Sequence, residues 1–273
     1  QLNSGTSDIN VNVSGITFKG DSTSVPTILL QLKNTLQGYT MTASVKDCIF
    51  DRASWECLRI EADSNNSPLI VTIENCEFKN ATNNGAAGIH TYGYSNVNIF
   101  NCLVHDNYYG MRFEGNTQAT VQSCTIDKNS YTGIDYATAG AEGSVKDSII
   151  TNNTVYGILK SGGSGTVTAT YNNVWNNGTD YSGTTAGVGS ISQNPSYATG
   201  RLGDYYLSQS SPAVDKGSAS AASLGLDKMT TRTDERWDLG RVDMGYHYPS
   251  NWLGKRGLPI DFILKILQKN KNK

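Results

Sequence analysis

Charged residues are scarce in this sequence, and the two signs nearly balance. Asp, Glu, Lys and Arg make up 17% of the 273 residues, and the formal net charge is −2. Proteins that bind nucleic acid normally present a basic surface that neutralises phosphates, and this composition gives no sign of one. We therefore expect no nucleic-acid partner.

Paired cysteines and long apolar runs are also missing. None of the five Cys residues belongs to a Cys-x-x-Cys pair, which argues against structural zinc and attached haem. No apolar run is long enough to span a bilayer, so we expect no transmembrane segment. The chain starts at Gln1 without a signal peptide, which we interpret as a mature or truncated chain.

The sequence does contain one short motif that recurs along most of its length. In the copy Val121–Ile126, apolar residues flank a small central residue, and Asn129 and then Gly133-Ile134 follow. The central position returns at steps of 22 to 32 residues. Such a period, with apolar residues at alternate positions, is typical of a solenoid built from short strands. The central position is occupied in turn by Ile16, Cys48, Cys76, Cys102, Cys124, Ser148 and Asn172.

This pattern predicts an all-β fold, a right-handed parallel β-helix of about seven coils. We place the β-helix in residues 1–193, a loop-rich C-terminal capping region in residues 194–250, and a short amphipathic tail helix in residues 251–273. The first coil has no helix ahead of it to cover its open strand edges.

Residues one period apart should stack about 4.8 Å from one another and form columns along the helix axis. We expect the column Cys48, Cys76, Cys102 and Cys124 to face inward as free thiols, because parallel Cβ vectors suit a disulfide poorly. An Asn column at a corner is expected to satisfy backbone groups. That column is Asn107, Asn129, Asn153 and Asn177, and a further inward column is Leu58, Ile89, Met111, Ile134 and Ile158.

Two segments after the repeats carry a resemblance. Ser211–Gly217 reads Ser-Pro-Ala-Val-Asp-Lys-Gly, and Asp243–Tyr248 reads Asp-Met-Gly-Tyr-His-Tyr. They resemble the C-terminal region of secreted bacterial and archaeal β-helix repeat proteins, although Asn194 replaces that family's first Asp. The resemblance implies an extracellular or cell-surface protein, after removal of a signal peptide, and no single activity.

The charged residues of this region have two interpretations. Asp215, Arg241 and Asp243 are expected to tie loops over the last coil through charge-assisted bonds. We prefer this role to a metal site, and we predict no metal there.

The tail has the spacing of an amphipathic helix. Ile260, Ile263, Leu264 and Leu267 recur three and four residues apart, and lysines follow where the helix dipole favours them. We interpret this helix as a lid on its own β-helix, with docking on a neighbouring subunit or a membrane surface as alternatives.

Alternate residues in the strand after each Gly should point outward and form a set that we call the outer patch. An Arg there can neutralise a sugar carboxylate, and His90 or Tyr92 can move protons, as proton abstraction from a uronic acid requires. The alternative is plain ion pairing on a solvated face, Arg59 with Glu61 and Arg112 with Glu114, and we favour it. The outer patch is Arg59, Glu61, His90, Tyr92, Arg112, Glu114 and Asp135.

Cofactors are not expected, with one exception. Glu61, Glu114 and Asp135 offer the oxygen ligands that Ca²⁺ prefers.

Two functions remain from the sequence. The favoured one is a non-catalytic extracellular structural protein that associates with itself end to end into a surface or filamentous assembly. The alternative is a protein that binds or cleaves an extracellular polysaccharide at the outer patch, in the manner of a polysaccharide lyase.

Overall fold

The backbone winds through seven coils of three short strands each. A computed structural model describes residues 9–20, 27–36 and 38–250. Coils one to four consist of β1 (Ile9–Ser14), β2 (Thr17–Lys19), β3 (Ile28–Asn34), β4 (Met41–Lys46), β5 (Ile49–Asp51), β6 (Glu56–Ala62), β7 (Leu69–Glu74), β8 (Glu77–Lys79), β9 (Ala87–Gly93), β10 (Ser95–Phe100), β11 (Leu103–His105) and β12 (Tyr109–Phe113). Coils five to seven consist of β13 (Gln118–Gln122), β14 (Thr125–Asp127), β15 (Thr132–Tyr136), β16 (Glu142–Lys146), β17 (Ile149–Thr151), β18 (Tyr156–Lys160), β19 (Val167–Thr170), β20 (Asn173–Trp175) and β21 (Thr179–Ser182).

Corresponding strands of successive coils pair in parallel and build three sheets of seven strands. The first sheet contains the first strand of every coil, the second sheet the second strand, and the third sheet the third strand. Residues one period apart pair in register, as Met111 does with Ile89 on one side and Ile134 on the other. The predicted all-β parallel β-helix is therefore confirmed.

The cysteine column lies at the corner between the first and second sheets. All five cysteines are free and buried, as predicted. The amide of Cys48 donates to Cys76 Sγ at 3.4 Å, and Cys76 Sγ donates to the carbonyl of Glu74 at 3.2 Å. The same pattern continues through Ser148, whose Oγ accepts from the Cys124 amide at 3.1 Å. A small side chain with a donor and an acceptor thus satisfies the backbone at each corner.

The asparagine column stands at the corner before the third sheet. Asn129 Oδ1 accepts from the Asn107 amide at 3.1 Å, and Asn129 Nδ2 donates to Asn153 Oδ1 at 2.9 Å. The glycine that follows permits this stacking, because a Cβ on Gly133 would lie 2.8 Å from Asn153 Nδ2 and from the carbonyl oxygen of Gly157. The recurring Asn and Gly of the sequence are therefore two parts of one corner.

The interior is filled by columns of apolar side chains. Phe18, Phe50 and Phe78 stack with ring centroids 4.7 Å apart. The predicted third column is wholly buried. These columns leave the alternate residues of the third sheet on the outside, where the outer patch lies.

Residues 194–250 fold against the side of the coils. They contain β22 (Tyr197–Gly200), β23 (Gly203–Leu207), the short helix α1 (Ala221–Leu224), β24 (Met229–Thr230) and β25 (Tyr248–Pro249).

The ties between this capping region and the coils differ from the predicted ones. Asp147 of coil six accepts from the amide of Ser218 at 2.6 Å, and Asn101 of coil four accepts from the amide of His247 at 2.7 Å. Asp243 instead accepts from the Asp215 amide at 2.7 Å and from the Thr231 hydroxyl, both within the capping region. The expectation that Asp215, Arg241 and Asp243 hold loops over the last coil was therefore wrong, because Asp147 and Asn101 of the coils make the contacts between the capping region and the coils.

The predicted tail helix with Ile260, Ile263, Leu264 and Leu267 lies outside the described residues, as do residues 1–8. No helix within the described ranges has the length and apolar character needed to cross a membrane.

Candidate functional site

Four strands of the third sheet carry the outer patch. Arg59 of β6 pairs in register with His90 of β9, which pairs with Arg112 of β12, which pairs with Asp135 of β15. Tyr92 lies beside Glu61 in the same way. The parallel register thus lines up four chemically different side chains across the coils.

A residue that the sequence analysis missed lies at the centre of this row. Glu56 is fully buried, and its Oε1 accepts from Arg59 Nη2 at 3.1 Å and from the Tyr92 hydroxyl at 3.0 Å. His90 Nδ1 lies 2.7 Å from the same oxygen. Three members of the outer patch therefore converge on one buried carboxylate.

The signal for Glu56 was present in the repeat. The register places Glu56 in line with Ala87, and the later coils carry Tyr109, Thr132 and Tyr156 at that position. Glu56 is the one charged residue in this column, and a charge at a column of small and aromatic residues marks a specific partner.

Electrostatics fix the protonation of this cluster. Burial alone would raise the pKa of Glu56, but hydrogen bonds from His90 and Arg59 outweigh it and lower that pKa. Burial and the neighbouring Glu56 raise the pKa of the Tyr92 hydroxyl. Glu56 is therefore ionised at neutral pH, and Tyr92 is a neutral hydrogen-bond donor.

His90 presents one satisfied nitrogen and one unsatisfied nitrogen. An ionised carboxylate only accepts, so Nδ1 carries the hydrogen that points to Glu56. Nε2 is buried, lies 3.7 Å from Glu114 Oε1, and has no hydrogen-bond partner in the described part of the chain. Glu56 thus orients the imidazole so that Nε2 faces Glu114.

Arg112 lies between Glu114 and Asp135. Its Nη2 lies 2.8 Å from Glu114 Oε1, and its guanidinium carbon lies 4.7 Å from the Tyr109 ring centroid. Its Nε lies 3.7 Å from Asp135 Oδ2 and, like His90 Nε2, is buried without a hydrogen bond to any described residue. Burial raises the pKa of Asp135 to about 6.

The ion pairs agree with the sequence prediction in one case and differ in the other. Arg112 pairs with Glu114, as expected. Arg59 pairs with Glu56 rather than with Glu61, and Glu61 is held by Lys33 Nζ at 2.7 Å and Gln31 Nε2 at 3.1 Å on coil one.

This arrangement also bears on calcium. Among the described residues, the ligand atoms of Glu61, Glu114 and Asp135 do not come together as one metal-binding group. Calcium binding stays a prediction.

A platform of tyrosines adjoins the row. Tyr108 and Tyr131 stack with centroids 5.2 Å apart, and Tyr109 meets each of them edge-on at 5.1 Å. All three rings are half-buried. Arg112 over Tyr109 connects this platform to the charged groups.

A separate cleft lies in the capping region. This cleft of about 560 Å³ is lined by Asp215, Asp238 and Asp243, whose carboxylate oxygens lie within 4.8 Å of one another. Asp238 accepts from the Asp243 amide at 2.9 Å and lies 2.8 Å from His247 Nε2. These carboxylates already join loops of the capping region, so we assign them a structural role.

Comparison with known proteins agrees with the geometry of the coils. Residues 34–199 match the family model described as the right handed beta helix region. No curated protein matches the chain.

Proposed function

Because the chain belongs to the right-handed β-helix family, and one long sheet face carries a row of polar and aromatic side chains, we propose that it binds a polysaccharide along the outer patch. A polymer lying along the axis crosses one strand every 4.8 Å or so, and thus meets Arg59, His90, Arg112 and Asp135 in turn.

The observation that carries this proposal is the combination of unsatisfied nitrogens with an aromatic platform. His90 Nε2 and Arg112 Nε are buried beside carboxylates without hydrogen-bonding to them. Because the hydrogen of His90 is on Nδ1, a ligand hydroxyl can donate to Nε2, and a ligand oxygen can accept from Arg112 Nε. Tyr108, Tyr109 and Tyr131 offer ring faces and edges on which the apolar side of a sugar packs. Small-molecule sites usually combine aromatic surface with a few polar groups.

Affinity electrophoresis through gels that contain neutral or acidic polysaccharides tests the proposal. We expect at least one polysaccharide to retard the protein, and Tyr109→Ala to weaken that binding about tenfold, because it removes both ring contact and the support of Arg112.

The matched control is Tyr39→Ala, which changes a half-buried tyrosine that precedes the first sheet's β4. It should bind like the unchanged protein. If no polysaccharide retards the unchanged protein, or if both tyrosine variants lose binding equally, the outer patch is not a glycan site.

End-to-end self-association is the second candidate, and the open first coil favours it. In the described part of the chain, β1, β2 and β3 each pair on one side alone, with β4, β5 and β6. An unpaired parallel edge accepts another strand, and a second copy of the chain offers the matching coil geometry. An extracellular or cell-surface location belongs to both proposals.

A further inference from the structure

Two nitrogens of the outer patch lie near the same side chain, Glu114. Its Oε1 lies 2.8 Å from Arg112 Nη2 and 3.7 Å from His90 Nε2. The first distance is a hydrogen-bonded ion pair, and the second is too long for a hydrogen bond. Arg112 Nε is also unsatisfied, so Arg112 offers a donor that Glu114 does not use.

Glu114 and Glu56 differ in how firmly they are held. Glu56 is fully buried and meets Arg59, His90 and Tyr92. The Glu114 side chain is one-quarter exposed and meets only Arg112 and, loosely, His90 among the described residues. A partly exposed ion pair contributes little to stability, so Glu114 can leave at small cost.

We infer that Glu114 occupies the place of a ligand carboxylate, and that the ligand of this site is a sugar acid whose carboxylate replaces Glu114 on Arg112. This inference rests on the proposed polysaccharide function and narrows it to uronate-containing chains. With Glu114 displaced, one ligand oxygen takes the bond to Arg112 Nη2, and the second reaches toward Arg112 Nε.

Charge balance favours an acidic ligand over a neutral one. Arg59 is matched by Glu56, and Arg112 is matched by Glu114. When a ligand carboxylate replaces that of Glu114, Arg112 keeps an ion-pair partner. When a neutral sugar displaces Glu114, the charge of Arg112 loses this partner. A neutral sugar therefore has to bind over Glu114 without using the two free nitrogens.

Displacement of Glu114 also uncovers His90. His90 Nε2 is buried 3.7 Å from Glu114 Oε1, and Glu56 keeps the hydrogen on Nδ1. A ligand that moves Glu114 therefore meets the free lone pair of an oriented imidazole. Glu114 acts as a resident competitor that ligand binding removes.

Glu114→Ala tests this inference, with oligogalacturonate and the methyl ester of the same oligosaccharide as probes in calorimetry. We expect Glu114→Ala to bind oligogalacturonate about five- to tenfold more tightly than the unchanged protein, with no comparable gain for the ester. Glu114→Ala combined with Arg112→Ala should lose the gain. Glu74→Ala, which removes a carboxylate paired with Lys46 on the first sheet, is the control and should show no gain.

Acetate provides a second readout that does not need a polysaccharide. Acetate should raise the melting temperature of Glu114→Ala, because it fills the vacated carboxylate position, and should not do so for the double variant.

The outcomes separate the two proposals. Equal or weaker binding of oligogalacturonate by Glu114→Ala, or an equal gain for the ester, overturns the role of Glu114 while glycan binding stands. Failure of every polysaccharide to bind the unchanged protein and Glu114→Ala, together with no acetate effect, overturns both.

Discussion

At the scale of single residues, partners decide what the outer patch does. A tyrosine can transfer protons, but the hydroxyl of Tyr92 donates to Glu56, and the pKa of that hydroxyl is raised. His90 keeps a free nitrogen because Glu56 takes the other one. The sequence predicted these two side chains on one face. Contact with Glu56 makes Tyr92 a hydrogen-bond donor and leaves His90 with one free nitrogen.

Asp135 makes stability depend on pH. Burial raises its pKa to about 6 in the folded chain, so between about pH 4 and pH 6 the folded state holds a proton that the unfolded state has released. This contribution is present below about pH 4 and is lost as pH rises to about 6, a total of about 2–3 kcal/mol.

Asp135→Asn should remove this dependence. The variant should match the unchanged protein near pH 4 and exceed its unfolding free energy by about 2 kcal/mol at pH 7. Urea denaturation from pH 4 to pH 7 measures the difference in unfolding free energy between the two proteins. Other groups titrate alike in both proteins, so their contributions cancel in this difference. Parallel curves for the two proteins would show that Asp135 is not held in the neutral form.

At the scale of elements, the corners carry the specificity of the coil. Cysteine or serine satisfies one corner, and asparagine satisfies the next, each by bonding to the coil above. The strands between them are as short as three residues, so regular spacing depends on these corner contacts.

Asn129→Ala should therefore be costly. The change leaves the buried Asn107 amide without its acceptor and removes one of the two donors to Asn153 Oδ1, which keeps the backbone amide of residue 129, and we expect a loss of about 2–4 kcal/mol. Thermal or urea unfolding measures it. Asn98→Ala is the control, because Asn98 is exposed on the outer face of β10, and its change should stay within about 0.5 kcal/mol. Equal losses in both variants would show that the column does not stabilise the coil.

At the scale of the whole molecule, the two flanks of the coils are used differently. The capping region packs on the side formed by the second sheet, through Thr125, Asp127 and Asp147. The outer patch lies on the third sheet, away from these contacts of the capping region. Among the described residues, the strands of the first coil pair on one side alone and leave the other edge unpaired.

Asn12→Pro tests association at that edge. The amides of Ile9 and Gly15 donate to coil two, so the intervening even-numbered amides of β1 face the open side. Proline at position 12 removes one of these donors without breaking a bond to coil two, and edge strands tolerate it. We expect the unchanged protein to form concentration-dependent oligomers in light scattering and electron microscopy, and Asn12→Pro to shift them to monomers.

Asn12→Ala keeps the amide and should associate normally. Monomers of the unchanged protein at every concentration would refute the assembly proposal.

The sequence alone determined the coil. Cys48, Cys76, Cys102 and Cys124 recur at one position, and Asn107, Asn129 and Asn153 at another, because every coil repeats the same local geometry and each side chain meets its own copy above and below. Periodicity is a local property, and it can be read without knowing the fold.

Only the tertiary structure decided which residues meet once the repeat is broken. His90 reaches Glu56 across 34 residues, Ser218 reaches Asp147 across 71, and His247 reaches Asn101 across 146. Each of these contacts occurs once, so the repeat pattern of the sequence does not predict it. The position of the capping region and the choice of Glu56 over Glu61 as the partner of Arg59 follow from packing between distant segments, where burial of a charge selects a single arrangement.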